Sequence, residues 1–237
     1  MKYPKILLLL TTLLFWTLPV LAKDSPQEEG KKAEHRMQKA VEDLNELINA
    51  GDSGIPQAIL ADANCVAIIP KLIKGGFIIG AEHGRGVATC RDEANRWSAP
   101  AFFTLTGGSW GAQIGVSNVD LVLLFMDENG ARQLLANNWK IGADAGIAAG
   151  PFGRDVSAST SAKFNTGILT YSRAKGVFIG ATLNGANVRA DEDAIRGFYG
   201  RDYSFRELLT GKVHPPQAAQ PFLAEINRNF RTAEATK

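Results

Sequence analysis

Gly107-Gly108-Ser109-Trp110-Gly111 matches G-x-S-x-G, the pattern that exposes a serine nucleophile on a sharp turn between a strand and a helix. The chemistry depends on that context. Here the residues that follow, Ala112 to Phe125, alternate in polarity and carry branched side chains, so they read as strand and not helix. His214 lies downstream, as the chain order of such enzymes requires, but it stands beside Pro215-Pro216 with no acid partner in view. A serine hydrolase using Ser109 is therefore a remote alternative. The plainer expectation is a glycine-rich hairpin corner, and no catalytic residue is assigned. His35, His83 and His214 are widely spaced, and Cys65 and Cys90 show neither C-x-x-C nor H-x-x-x-H spacing, so no metal site is expected. Gly84-Arg85-Gly86 lacks the third glycine and the following helix of a dinucleotide fingerprint. No G-x-x-x-x-G-K-[ST] phosphate loop occurs, and no cofactor is expected.

The remaining chemistry is cationic. Lys31, Lys32, His35, Arg36 and Lys39 cluster in the first half of a helical segment, and Glu42, Asp43 and Glu46 occupy the same side in its second half. This polarity opposes the helix macrodipole. Pairs such as Lys39 with Asp43 offset a few tenths of a kcal/mol of the cost. An arrangement that helix stability would not choose points to a task for the basic end, with a solvated charged face as the bland alternative. Farther on, Lys71, Lys74 and Arg85 flank one glycine-containing hairpin, and Arg173 and Lys175 flank another. Exposed backbone N–H groups with nearby Lys or Arg can hold an anionic phosphate. Charged hairpin tips also serve ordinary solubility.

The elements that must carry these residues can be read in order. Ser25-Pro26-Gln27-Glu28 is a helix start with a capping box and Pro at the first helical position. From Lys31 to Ala50, the residues Ala33, Met37, Ala40, Val41, Leu44, Leu47 and Ile48 fill one apolar stripe. A short helix over Ile55–Ala63 follows the break at 51–54. Strands are expected at Cys65–Ile69, Gly76–Ala81, Gly86–Arg91, Ala101–Leu105, Ser109–Gly115 and Asp120–Met126. Glu82-His83-Gly84-Arg85 and Asp127-Glu128-Asn129-Gly130 read as separators. After a short helix over Ala131–Asn137, strands resume at Ile141–Ala149, Ala158–Phe164, Ile168–Tyr171, Val177–Leu183 and Ala186–Arg189. Helices are expected over Ala190–Tyr199, Ser204–Leu209 and Ala218–Asn229. Many strands contain glycine, which marks bulges, bends or close approach. Lys74-Gly75-Gly76-Phe77-Ile78 is echoed by Lys175-Gly176-Val177-Phe178-Ile179, as in two equivalent hairpins of one sheet. The fold class is α+β: a strongly bent or barrel-like antiparallel β-sheet, with an N-terminal amphipathic helix and C-terminal helices packed on it.

The first 22 residues read as a secretory signal. Lys2 and Lys5 precede the apolar run Ile6–Leu18, and Leu18-Pro19-Val20-Leu21-Ala22 resembles a cleavage end. The expected organisation is a signal over 1–22, a single domain over 23–232 and a frayed tail over 233–237. The expected location is periplasmic or secreted, after cleavage near Ala22. The chain has 26 Lys and Arg against 24 Asp and Glu; with Lys2 and Lys5 removed it holds 24 of each. A formally neutral molecule gives no field for nucleic acid, so any electrostatic partner must meet a local patch. In an exported chain Cys65 and Cys90 could form a disulfide or remain two buried thiols.

Several ordered segments resemble the SYLF family of lipid-binding domains. They are Cys65-Val-Ala-Ile-Ile-Pro70, Lys74-Gly-Gly-Phe-Ile-Ile-Gly80, Gly84-Arg-Gly86, Pro100-Ala-Phe-Phe103, Gly107-Gly-Ser-Trp-Gly-Ala-Gln-Ile-Gly115 and Asp120-Leu-Val-Leu-Leu-Phe125. Gly142-Ala-Asp-Ala-Gly146, Ala149-Gly-Pro151 and Tyr171-Ser-Arg-Ala-Lys-Gly-Val-Phe-Ile-Gly180 continue the series. The resemblance runs from about Asp24 to Tyr203. It implies a non-enzymatic domain that binds phospholipid or an anionic membrane surface, through an amphipathic helix and basic residues. Lys31, Lys32, Arg36 and Lys39 would be headgroup contacts, joined by Lys71, Lys74, Arg85, Arg173 and Lys175. Eukaryotic relatives are associated with phosphoinositides and, in some cases, actin. Export makes actin an unlikely partner on this reading, with other anionic phospholipids expected and any protein partner unknown. The alternative is a structural or protein-interaction module of the cell envelope.

Overall fold

The computed structural model describes residues 24–51, 54–76, 79–110, 115–142, 146–151, 167–174, 177–178, 183 and 185–235. The leader 1–22, the expected strand Ala158–Phe164 and Lys175 lie outside them. Helix α1 (Pro26–Ile48) starts where its capping box requires: Ser25 accepts from the Glu28 N–H, and the Glu28 carboxylate accepts from the Ser25 N–H. Helix α2 (Gln57–Asp62) follows. Strands β1 (Cys65–Gly76), β2 (Ile79–Cys90), β3 (Ala101–Trp110) and β4 (Gly115–Phe125) form the centre of the sheet. Then come α3 (Glu128–Leu134), β5 (Asn138–Lys140), β6 (Ile147–Ala149), β7 (Ile168–Ala174), β8 (Val177–Phe178) and β9 (Asn187–Ala190). Helices α4 (Glu192–Tyr199), α5 (Phe205–Leu209) and α6 (Gln220–Ala235) close the chain, with a 3₁₀ turn at Gln217–Ala219.

The sheet curls into a half-barrel with the order β5-β9-β3-β2-β1-β4-β7-β6, and β8 pairs with β7. The α+β class stands. Pairing is antiparallel except between β6 and β7, which run parallel. Cys65 and Cys90 are partners across β1 and β2, and they are bridged. The apolar stripe of α1 enters the core: Ala33, Met37, Ala40, Leu44 and Leu47 are buried, with Val41 and Ile48 packed at its edge.

Gly30 has a packing reason that outweighs its poor helix propensity. A Cβ at Gly30 would stand 2.6 Å from the carbonyl oxygen of Gly197, and one at Gly197 would stand 2.6 Å from that of Pro26. Only two glycines let α1 and α4 cross so closely.

Several boundaries differ from the sequence expectation. Glu82–Arg85, expected as a turn, is the interior of β2, and the reversal falls after Gly76, inside the expected strand Gly76–Ala81. Gly84 and Gly86 supply space: a Cβ at Gly86 would meet the Phe103 ring at 2.3 Å, and one at Gly84 the Ile69 side chain at 2.7 Å. Of the expected strand Ser109–Gly115, Ser109 and Trp110 end β3 and Gly115 starts β4, and 111–114 lie outside the described residues. Ile141–Ala149 is likewise replaced by β5 before it and β6 at its end. Helix α3 begins three residues early because Asp127 caps it, accepting from the Gly130 N–H at 2.7 Å. Helix α6 runs to Ala235 with Ala233 buried, so the tail expected from 233 is helical that far.

One irregularity shapes the surface. Ile68 to Ile73 on β1 spans Val87 to His83 on β2, and Ile69 to Leu72 spans Leu121 to Val119 on β4. Each comparison leaves one extra residue in β1, a bulge around Pro70 and Lys71. Proline cannot donate to a ladder and is tolerated at such a break.

Candidate functional site

The bulge faces α1 across a groove of about 600 Å³. Its basic residues are Lys32, Arg36 and Lys39 from α1, Lys71 from the bulge and Arg85 from β2, with His35 and His83 beside them. Asp120 is its one lining acid. Ile73, 41 % exposed, lies at the same groove. Helical spacing places Lys32, Arg36 and Lys39 on one face, and strand alternation places His83 and Arg85 on one face of β2.

The groove has two electrostatic layers. Glu29, Asp43 and Asp191 are buried beneath it. Asp191 caps α4 by accepting from the Ala194 N–H at 3.3 Å. It also takes a hydrogen bond at 3.0 Å from Arg36 Nη1, which donates in addition to the Gly86 carbonyl at 3.3 Å. Burial presses the Arg36 pKa down, and the Asp191 charge opposes that effect. Arg36 lies 7 % exposed with its guanidinium 5.5 Å from the Phe102 ring centroid. Arg36 is thus a buried cation clamped by Asp191, set deeper than the other basic residues of the groove.

The outer layer is solvent-facing. Lys32, Lys39 and Arg85 are 43–46 % exposed. Arg85 Nη1 reaches Glu29 at 3.4 Å and its Nε stands 3.8 Å from Asp191. Lys32 pairs with Asp24 and, at 3.1 Å, with Glu29. Hydrogen bonding to Asp24, then to Glu29, raises the Lys32 pKa. Lys39 pairs with Glu42 at 2.7 Å and lies 3.9 Å from Asp43. Lys71 is exposed and has no ion pair among the described residues.

The structure thus brings together Lys32, Arg36, Lys39, Lys71 and Arg85 of the expected basic residues. It does not bring in the others. Lys31 is exposed beside the groove's rim residues in sequence but does not line it. Lys74 is tied to buried Glu82 at 3.3 Å, and Arg173 bridges Asp120 at 3.2 Å and Glu46. Sequence reasoning left out His83, Pro70 and Ile73. Pro70 inside an apolar strand run was the available signal for the bulge. The apolar stripe of α1 is part of the core, as the fold expectation requires.

Ser109 lies in β3 opposite Gly80, in a strand that is followed by β4. His214 lines a cleft with Ser98 and Ala99, before the other end of β3. Eight residues of strand, about 27 Å, separate Ala101 from Ser109. Among the described residues, the element that follows β3 is a strand and not the helix of a nucleophile elbow. Among the described residues no helix is long and apolar enough to cross a membrane.

Residues 106–229 match the Ysc84 family, described as Las17-binding protein actin regulator. The chain is 32 % identical over 202 residues to Protein YSC84 of Saccharomyces cerevisiae, covering 84 % of this chain and 42 % of that one. It is 30 % identical over 214 residues to SH3 domain-containing YSC84-like protein 1 of Xenopus laevis, covering 87 % and 63 %. LAS seventeen-binding protein 3 of S. cerevisiae is 30 % identical over 200 residues, covering 83 % and 43 %. The chain spans between about two fifths and two thirds of the length of these relatives. These names correct the expectation of a lipid partner alone, with actin unlikely. That expectation was drawn from the leader, and a leader bears on compartment and not on what a folded surface recognises.

Proposed function

The chain belongs to the Ysc84 (SYLF) family, and from that premise we propose that it is a non-enzymatic binding module whose groove between α1 and the β1 bulge receives anionic phospholipid headgroups. The observation that carries this reading is the convergence of Lys32, Lys39, Lys71 and Arg85 with exposed Ile73 on one groove. Glu29 holds Lys32 and Arg85 from below, and Asp191 lies 3.8 Å from Arg85. An anionic surface attracts each nearby Lys or Arg by roughly 1 kcal/mol. Four cations, weakened by the acids beneath them, supply about 2–4 kcal/mol, and Ile73 adds about 1 kcal/mol of apolar contact. The signal-like leader supports an exported setting, where phospholipids other than phosphoinositides would be the ligands.

Vesicle co-sedimentation tests the reading. Phosphatidylcholine vesicles with and without phosphatidylglycerol are compared at about 50 mM and about 500 mM salt. Binding should need the anionic lipid, weaken in high salt and fall at least about tenfold in a Lys32→Ala, Lys39→Ala, Lys71→Ala, Arg85→Ala variant. Equal pelleting of variant and parent refutes it. The family description supports a second reading, in which the module engages a protein of an actin-regulatory assembly. Retention of purified actin or of a Las17-type protein by the parent in the absence of lipid would favour that reading.

A further inference from the structure

A second cleft, of about 910 Å³, shares no residue with the groove. Three segments build it: the β2–β3 connection from Arg91 to Ala99, residues 211–215 after α5, and one side of α6. Arg85 of the groove and Arg91 of the cleft are six residues, about 20 Å, apart along β2.

The cleft has surplus positive charge. Arg91, Arg96, Lys212 and Arg231 line it against two acids, Asp92 and Glu234. Both acids are already engaged. Asp92 accepts from the backbone N–H groups of Ala94 and Arg96 at 2.9 and 2.8 Å, and from Arg96 Nε at 3.0 Å. Desolvation raises its carboxyl, but these donors outweigh it and hold the pKa below the usual value. Glu234 lies 2.7 Å from Arg91 Nη2. Lys212 and Arg231 are exposed and have no ion pair among the described residues. His214 lines the same cleft.

Its base is built rather than incidental. Trp97 is nine-tenths buried, sits 4.7 Å under the Arg91 guanidinium and meets Phe230 edge-on at 4.8 Å. The Trp97 indole N–H has no hydrogen-bond acceptor among the described residues. Gly211 (φ 74°) packs against Asp92, with a Cβ position 3.1 Å from that of the aspartate, and so brings Lys212 to the loop. Gln220 and Asn227 present amides, each able to donate and accept, while the Asn95 Oδ1 accepts from Arg91 Nη1 at 2.8 Å.

We infer that this cleft binds an acidic peptide segment of a protein partner. The unmatched cations select carboxylates. The amides suit a peptide backbone, which offers one donor and one acceptor per residue. The volume exceeds what a single small anion fills, and the polar lining disfavours an acyl chain.

Fluorescence anisotropy with fluorescein-labelled hexaglutamate tests the inference, with hexalysine as the control. Hexaglutamate should bind and hexalysine should not. Lys212→Glu with Arg231→Glu should weaken hexaglutamate at least about tenfold, while Lys39→Ala with Lys71→Ala in the groove should change it less than about twofold. Thermal unfolding should place both variants within about 3 °C of the parent, since the substituted side chains are exposed. Equal binding of the two peptides, or indifference to the charge reversal, overturns the inference. So does complete displacement by about 10 mM free glutamate, the behaviour of a single-anion site. Loss of phosphatidylglycerol vesicle binding in the cleft variant would assign the cleft to lipid and overturn it as well.

Discussion

Asp43→Asn should stabilise the protein above neutral pH and leave it nearly unchanged in acid. Asp43 sits on α1 at 4 % exposure, and its Oδ2 has no hydrogen-bond partner among the described residues. The nearest cation, Lys39, lies 3.9 Å from Oδ1 and is engaged by Glu42. Burial, and then the charge of Asp120, push the Asp43 carboxyl from 3.8 to about 7 against the pull of Lys39. That displacement corresponds to roughly 4 kcal/mol of preference for the neutral form, an upper bound because neighbours reorganise. A working figure of about 2 kcal/mol translates to about 4–8 °C in Tm for a chain of this size. For an acid whose pKa is raised by folding, the favourable contribution is complete below about pH 3.8. It is lost as pH rises to about 7, and is flat beyond. Asparagine keeps the shape and removes this slope. Calorimetry of both proteins at pH 4, 6 and 8 should give a difference that grows from near zero to a plateau. A constant difference, or a less stable variant at pH 8, refutes the reasoning.

Gly30→Ala should lower stability by about 2–3 kcal/mol in urea titration, despite alanine's better helix propensity, because its Cβ would meet the Gly197 carbonyl at 2.6 Å. Gain of stability would show that α1 and α4 can separate cheaply. Reduction of the Cys65–Cys90 bridge, which closes a separation of 25 residues, should cost about 3.5 kcal/mol by loop entropy; guanidinium titration with and without reductant measures it. Arg36→Met should destabilise by about 3 kcal/mol, since the cation left near buried Asp191 among the described residues is Arg85 at 3.8 Å, whereas Lys71→Ala should leave Tm unchanged and weaken vesicle binding. Paired melting and co-sedimentation separate the structural cation from the contact.

How much of this was legible follows from the range of each signal. The start of α1 was readable because its capping box is local, and its stripe because burial repeats at the helical period. The reversal between β1 and β2 was misplaced because Gly84 and Gly86 look like turn residues. Their true reason is the Phe103 and Ile69 side chains, which press on them from neighbouring strands. The groove was only half visible. Lys32 to Lys39 read as a basic face, but nothing near them in sequence says that Lys71 and Arg85 will stand opposite. That depends on sheet pairing and on the extra residue at Pro70–Lys71. Arg36 looked like its neighbours because the acid that claims it lies 155 positions away.

That same long link sets a timetable for biosynthesis. Helix α1 is made well before Asp191 and Gly197, which hold it. At ordinary translation rates of about 5–20 residues per second, the gap from Arg36 to Asp191 takes roughly 8–30 s. Throughout that interval the helix lacks α4, which it crosses at Gly30 and Gly197. The emerging polypeptide therefore carries an open flank on α1 for that long, and only the finished C-terminal third closes it.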